Sequence, residues 1–213
     1  MSSHAVEDFN MEEAIAREYF ALADLLESGS SDVWDAPSLC EGWRTREVVA
    51  HVTMPARYSG PQFMAEMQAA GGDFTVFSNT VADRDCSLPE EVLLKNLRAE
   101  ALHTWQPPGG GLEGALSHCV IHSLDITEAI PLGRQTPEPT VRAVLDQLAG
   151  LGVTNPFGVD VSGFRLQADD MDWSVGAGEV VAGPGRALVC VLSGRHLPDD
   201  RLQGDGAVRF RAR

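Results

Sequence analysis

Residues 112–130, LEGALSHCVIHSLDITEAI, decide the fold. Leu112, Leu116, Cys119, Ile126 and Ile130 recur at helical spacing, and Pro131 with Gly133 stops the pattern, so the stretch reads as one amphipathic helix. His118, His122 and Asp125 lie along one flank of that stripe, where the small residues Ala115 and Ala129 leave room for an ion and a ligand. Side chains four apart on a helix stand one above the other. The imidazoles of His118 and His122 can therefore converge on one metal ion, and His51, on another helix far upstream, is the candidate third ligand. A lone helical histidine is more often a hydrogen-bonded core residue, which keeps the packing role open for His51 on the residues alone.

Working outward, residues 10–28 place Ile15, Tyr19, Leu22 and Leu26 at helical spacing behind Asn10 and Glu13, which resemble a capping box. Thr45 is the expected N-cap of a helix carrying Val48, Val49, His51 and Val52. Pro55 cannot donate to the His51 carbonyl, so that helix should bend or stop soon after the histidine. A helix is expected over residues 61–70 up to Gly71-Gly72. Ser87 and Glu90 are expected to open a third long helix, PEEVLLKNLRAEALHTW, with Val92, Leu93, Leu97, Ala101 and Leu102 as its core stripe. Four long helices with inward-facing ligands describe a bundle. After a short helix, TVRAVLDQLAG, the pieces GFRLQA, WSVGAG, EVVAG, RALVCVLSG and AVRFRA are brief, β-branched or alternating, and read as a small β-rich subdomain. The expected fold class is thus α+β, with a metal-binding bundle over residues 1–135 and a small C-terminal α/β domain over 136–213.

The chain has 213 residues, 44% of them hydrophobic, and 16 basic residues against 31 acidic ones give a formal net charge of −15. Such a surface disfavours nucleic acid and anionic membranes as partners. There is no stretch of about 18 apolar residues, and the first residues are polar and acidic, so a cytoplasmic protein, monomer or homodimer, is expected. Cys40, Cys86, Cys119 and Cys190 form no CxxC pair and read as reduced thiols, mostly core residues. Asp169, Asp170 and Asp172 lack the glycine and terminal glutamate of a calcium loop and read as a solvated turn. His4, His103 and His196 have no partner at ligand spacing and are expected at the surface.

The segment Leu39-Cys40-Glu41-Gly42-Trp43, the run Arg46-Glu47-Val48-Val49-Ala50-His51, the H-x3-H-x2-D segment at 118–125, and the late Asp170-Met171-Asp172-Trp173, Gly194-Arg195 and Gly204-Asp205-Gly206-Ala207 pieces resemble the mycothiol-dependent maleylpyruvate isomerase family. The resemblance implies a DinB-like four-helix bundle, a divalent metal, usually zinc, held by His51, His118 and His122, and mycothiol or a similar thiol as cofactor. Isomerases of that family tend to carry glutamate where His118 stands, whereas thiol transferases of the wider superfamily have three histidines. Asp125 and Arg195 are the candidate catalytic groups: Asp125 as an acceptor that orients a ligand imidazole or as a contact for the thiol, Arg195 as a partner for a carboxylate of thiol or substrate. The expected activity is isomerisation of a maleylpyruvate-type substrate or S-transfer. A metal-dependent hydrolase and a non-enzymatic ligand-binding bundle are the alternatives.

Overall fold

The computed structural model describes residues 9–130, 132–133, 136–150, 155 and 157–211. His4 and the helix stop at Pro131 lie outside the described residues. Helix α1 (Met11–Ser28) begins where the Asn10 side chain accepts the Glu13 N–H at 3.2 Å, and it buries Ile15, Tyr19, Leu22 and Leu26. Helix α2 (Thr45–Val52) starts at its expected cap and is capped one residue earlier: Thr45 is already helical, and the Glu47 carboxylate accepts the Arg44 N–H at 2.8 Å. It ends just past His51, and Pro55 sits in the 3-10 turn that follows.

Helices α3 (Gly60–Ala69) and α4 (Phe74–Asp85) come next, then α5 (Glu90–Leu97), α6 (Glu100–Thr104) and α7 (Gly111–Thr127). Helix α4 has no counterpart in the sequence reading; its first turn is capped by the Asp73 carboxylate, which accepts the N–H groups of Thr75 and Val76. The third long helix is two. Ala99 is extended, with ψ 131°, and Arg98 turns to Asp24 and Glu27 of α1, each at 2.7 Å. The break shifts the inward face, so Leu93, Leu97 and Leu102 are buried while Ala101, which an unbroken helix would align with Leu97, is exposed. Packing runs α1 to α7, α7 to α2, α2 to α5 and α5 back to α1, a closed ring of four helices.

Beyond the ring, α8 (Glu138–Gly150) packs on α7 and on α9 (Gly185–Leu192), which in turn lies on the sheet. The sheet comprises β1 (Phe164–Ala168), β2 (Ser174–Gly176) and β3 (Glu179–Gly183) in the order β2-β1-β3, with Leu166 opposite Val175 in the antiparallel pair and Val181 in the parallel one. Two expected strand-like pieces are helices. RALVCVLSG forms α9, buried from Ala187 to Leu192, and a helix buried on every side shows no period to distinguish it from a strand. AVRFRA forms α10 (Ala207–Arg211), which buries Ala207 and Phe210 three apart and leaves Val208 exposed. Asp170 does more than line a turn: its carboxylate accepts the Gly185 N–H at 2.8 Å at the start of α9. One contiguous set of buried side chains runs from Ile15 through Leu124 and Leu166 to Phe210.

A satellite cluster of Met54, Phe77 and Val81, flanked by Tyr58, Phe63 and Met67, anchors α3 and α4 beside α2. Asp85 ties it down, accepting from Arg57 at 2.9 Å, Tyr58 at 2.7 Å and Arg84 at 3.0 Å. Burial works against its charge, but the bonds from Tyr58, Arg84 and Arg57 prevail and hold the carboxyl below its usual range. A carboxyl lowered on folding stabilises fully above its unfolded pKa, about 3.9, and the contribution fades as pH falls through the folded value. Asp85→Asn should cost about 1.5–3 kcal/mol at pH 7. The gap between wild type and variant, followed by urea unfolding, should shrink below pH 4; a gap constant down to pH 2 would contradict the assignment.

Candidate metal centre

Between α2 and α7 three imidazoles converge. The Nε2 atoms of His51 and His118 are 3.2 Å apart, and one nitrogen from each of His51, His118 and His122 lies within 4.8 Å of the others. Tetrahedral zinc with Zn–N bonds of about 2.0–2.1 Å holds its nitrogens about 3.3 Å apart, so the closest pair already has ligand spacing. His51 is 3% exposed. Burial first, then the neighbouring histidines and Arg195, pushes the His51 and His118 imidazoles below their ordinary range, which favours the neutral form a metal requires. The Nδ1 atoms of both rings are buried without a partner among the described residues. Trp43 packs 5.1 Å from His51 and Trp105 5.2 Å from His118, walling the rings with aromatic surface.

Asp125 sits fully buried one helical turn beyond His122 and takes four hydrogen bonds. Arg195 donates two of 2.8 Å through Nε and Nη2, Cys40 donates through Sγ at 2.9 Å, and His122 Nδ1 lies 2.9 Å away. Burial opposes ionisation of Asp125, yet its bonds from Arg195 and His122 hold the carboxyl well below the usual range. An ionised carboxylate only accepts, so His122 Nδ1 carries the proton and Nε2 keeps its lone pair for a ligand. Burial and the adjacent Asp125 carboxylate push the Cys40 thiol up, which keeps it a protonated donor. Arg195 comes from just past α9 and spends its remaining nitrogen on the Ser193 carbonyl at 2.7 Å.

The five residues singled out in the sequence therefore meet at one place. Of the other histidines, His103 packs 5.2 Å from Phe20 and His196 is exposed; the nearby Arg186 and Arg201 both pair with Glu128. All four cysteines are free, and Cys86, Cys119 and Cys190 are buried. Cys40 and Trp43 were not singled out as site residues. They are brought in by a turn in which Trp43 N–H bonds the Cys40 carbonyl at 3.0 Å and Gly42 takes φ 78°, a conformation that favours glycine. Leu39 N–H then bonds the Asp125 carbonyl at 2.9 Å and ties the turn to α7. In the sequence the Leu39–Trp43 segment carried a family resemblance but no spacing that would place its side chains at the site. On the other side, His51 and His118 face a cavity of about 300 Å³, lined also by Met54, Pro55, Tyr58, Phe63, Met64 and Trp105.

Residues 15–106, which span most of α1 through α6 and include His51, match the family described as mycothiol maleylpyruvate isomerase N-terminal domain. The likeness covers this segment, under half of the chain. Two solved structures share the fold at 17% identity over 97% of both chains: the mycothiol-dependent maleylpyruvate isomerase, with a TM-score of 0.61, and a histidine-to-alanine mutant of it, with a TM-score of 0.60. No curated protein matches the sequence. His118, His122, Asp125 and Arg195 lie beyond the matched segment, so their grouping rests on the geometry above. No described helix is long and apolar enough to cross a membrane.

Proposed function

We propose that the chain is a metal-dependent enzyme that activates a low-molecular-weight thiol of the mycothiol kind, either to isomerise a maleylpyruvate-type substrate or to transfer the sulfur to an electrophile. The observation that carries this reading is the convergence of three imidazoles beside a cavity. A divalent ion held by three protein ligands keeps a position for a fourth, and when bound it would lower the pKa of a thiol, normally about 8.5, so that thiolate forms at neutral pH. Zinc suits three neutral imidazoles.

The chain's own residues have separate parts in this scheme. His51, His118 and His122 supply the nitrogens. Asp125 fixes the tautomer of His122, and Arg195 neutralises Asp125, so the second part of the chain, residues 136–213, contributes to a centre carried by residues 1–135. Trp43 and Trp105 exclude water from the ligand side. Asp125 was the one general base available to a hydrolytic mechanism, and its four donors weigh against that alternative. Elemental analysis of the purified protein should find about one zinc per chain, and turnover of an electrophile should require added thiol. Turnover that proceeds equally without thiol would favour hydrolysis; a protein free of metal after purification in zinc would remove the reading.

A further inference from the structure

The cavity beside the histidines has a chemical character of its own. Met54, Tyr58, Phe63, Met64, Trp105 and Pro108 supply most of its wall, and Gln106 is the one uncharged amide among its lining residues. Among the described lining residues, none apart from His51 and His118 is ionisable as a cation. The guanidinium next along the chain, Arg57, is engaged by Asp85, the Ala50 carbonyl at 2.7 Å and the Thr53 hydroxyl at 2.5 Å. The Tyr58 hydroxyl is likewise turned to Asp85. Arg195, the natural partner for a substrate carboxylate, is already held by two bonds to Asp125 and one to Ser193.

A dicarboxylic keto acid brings two negative charges. An ion at the histidines and its thiolate would leave about one positive charge there, enough for one carboxylate. The second would lie among methionine and aromatic side chains, and burying an unpaired carboxylate costs several kcal/mol in real proteins. The net charge of −15 adds a long-range field that repels a dianion. An aromatic ring, by contrast, meets offset and edge contacts on Trp105 and Phe63 and sulfur contacts on Met54 and Met64.

We propose that the electrophile taken up here is uncharged with an apolar, aromatic body, and that the reaction is thiol addition to it, as with an aryl epoxide, not isomerisation of a dicarboxylate. This rests on the thiol-activating reading above and selects between its two branches. In the epoxide case sulfur forms a bond to a ring carbon, that carbon's bond to oxygen breaks, and the oxygen takes up the proton the thiol gave up. The product is a hydroxy thioether, and no oxidant or reductant is consumed.

Calorimetric titration of the full chain, zinc-loaded and chelator-treated, with styrene oxide and with maleate tests the cavity without requiring turnover. Styrene oxide should bind both forms, at least tenfold tighter than maleate in the chelated form. Trp105→Ala should weaken styrene oxide about tenfold with zinc content and helical circular dichroism unchanged. Met64→Lys, at a side chain 64% exposed where folding is not at risk, should narrow the gap by admitting maleate. With mycothiol added, kcat/KM for styrene oxide should exceed that for maleylpyruvate at least tenfold. Maleate binding as tightly as styrene oxide to the chelated protein, or preferred turnover of maleylpyruvate, would overturn the proposal. Failure of the thiol-activating reading would look different: neither electrophile would be turned over with thiol, while the preference in binding would stand.

Discussion

His118→Ala is expected to leave the protein folded and empty of zinc, and His122→Ala to do the same. Loss of an outer partner of a ligand weakens metal affinity roughly 10–100-fold, and loss of a ligand itself should cost more. The fold should survive because neither imidazole carries the packing of α7: that face is held by Leu116, Cys119, Val120, Leu124 and Ile126, all buried. His118 also gives up little in hydrogen bonding, since its Nδ1 has no partner among the described residues. Elemental analysis after purification in excess zinc, with circular dichroism as the control, makes the check. Full occupancy in both variants would mean that the three histidines are a packed cluster and nothing more.

Arg195→Ala should be among the most destabilising single substitutions in the chain. It removes two hydrogen bonds and the countercharge from Asp125, whose side chain is 0% exposed, and truncating one partner of a buried ion pair costs about 3–5 kcal/mol. Arg195→Lys should recover only part of this, because a single ammonium cannot reproduce the paired Nε and Nη2 bonds. Zinc affinity should fall too, by roughly 10–100-fold, since Asp125 would no longer hold His122 in one tautomer and orientation. Urea denaturation and a zinc competition titration measure the two effects. An Arg195→Ala protein as stable as wild type would show that Asp125 finds another cation or stays protonated. The double variant Arg195→Ala, Asp125→Ala should be milder than Arg195→Ala alone, because no orphaned charge remains.

What the sequence made legible follows from which interactions are local. The i, i+4 spacing of His118 and His122 and the proline after His51 are local, and both read correctly into helices α7 and α2. The two helices α9 and α10 were unreadable for a tertiary reason. Val189 and Val191 suit a strand by propensity, and burial on every side of α9 erased the period that would have spoken for a helix. The break at Ala99 likewise has no local signal; beside it Arg98 pairs with Asp24 and Glu27 across the bundle. At the site, the sequence offered Arg195 as a partner for a carboxylate, but its partner here is Asp125, 70 residues away. Cys40 meets Asp125 across 85 residues, and the cavity wall comes from three separate stretches. No spacing rule reaches such distances.

The contiguous buried set from Ile15 to Phe210 joins the helical ring to the sheet. Helix α8 touches α7 on one side and α9 on the other, and α7 touches α9 directly, so neither the helical ring nor the sheet can part from the rest without opening apolar surface on both. Shared packing of this kind links damage in the sheet to the histidine site. Loosening Trp173 against α8, where its indole N–H bonds Asp146 at 2.7 Å, lowers the free energy that keeps His122 and Asp125 in register. The three histidines thus rest on a core shared by the helical ring and the sheet.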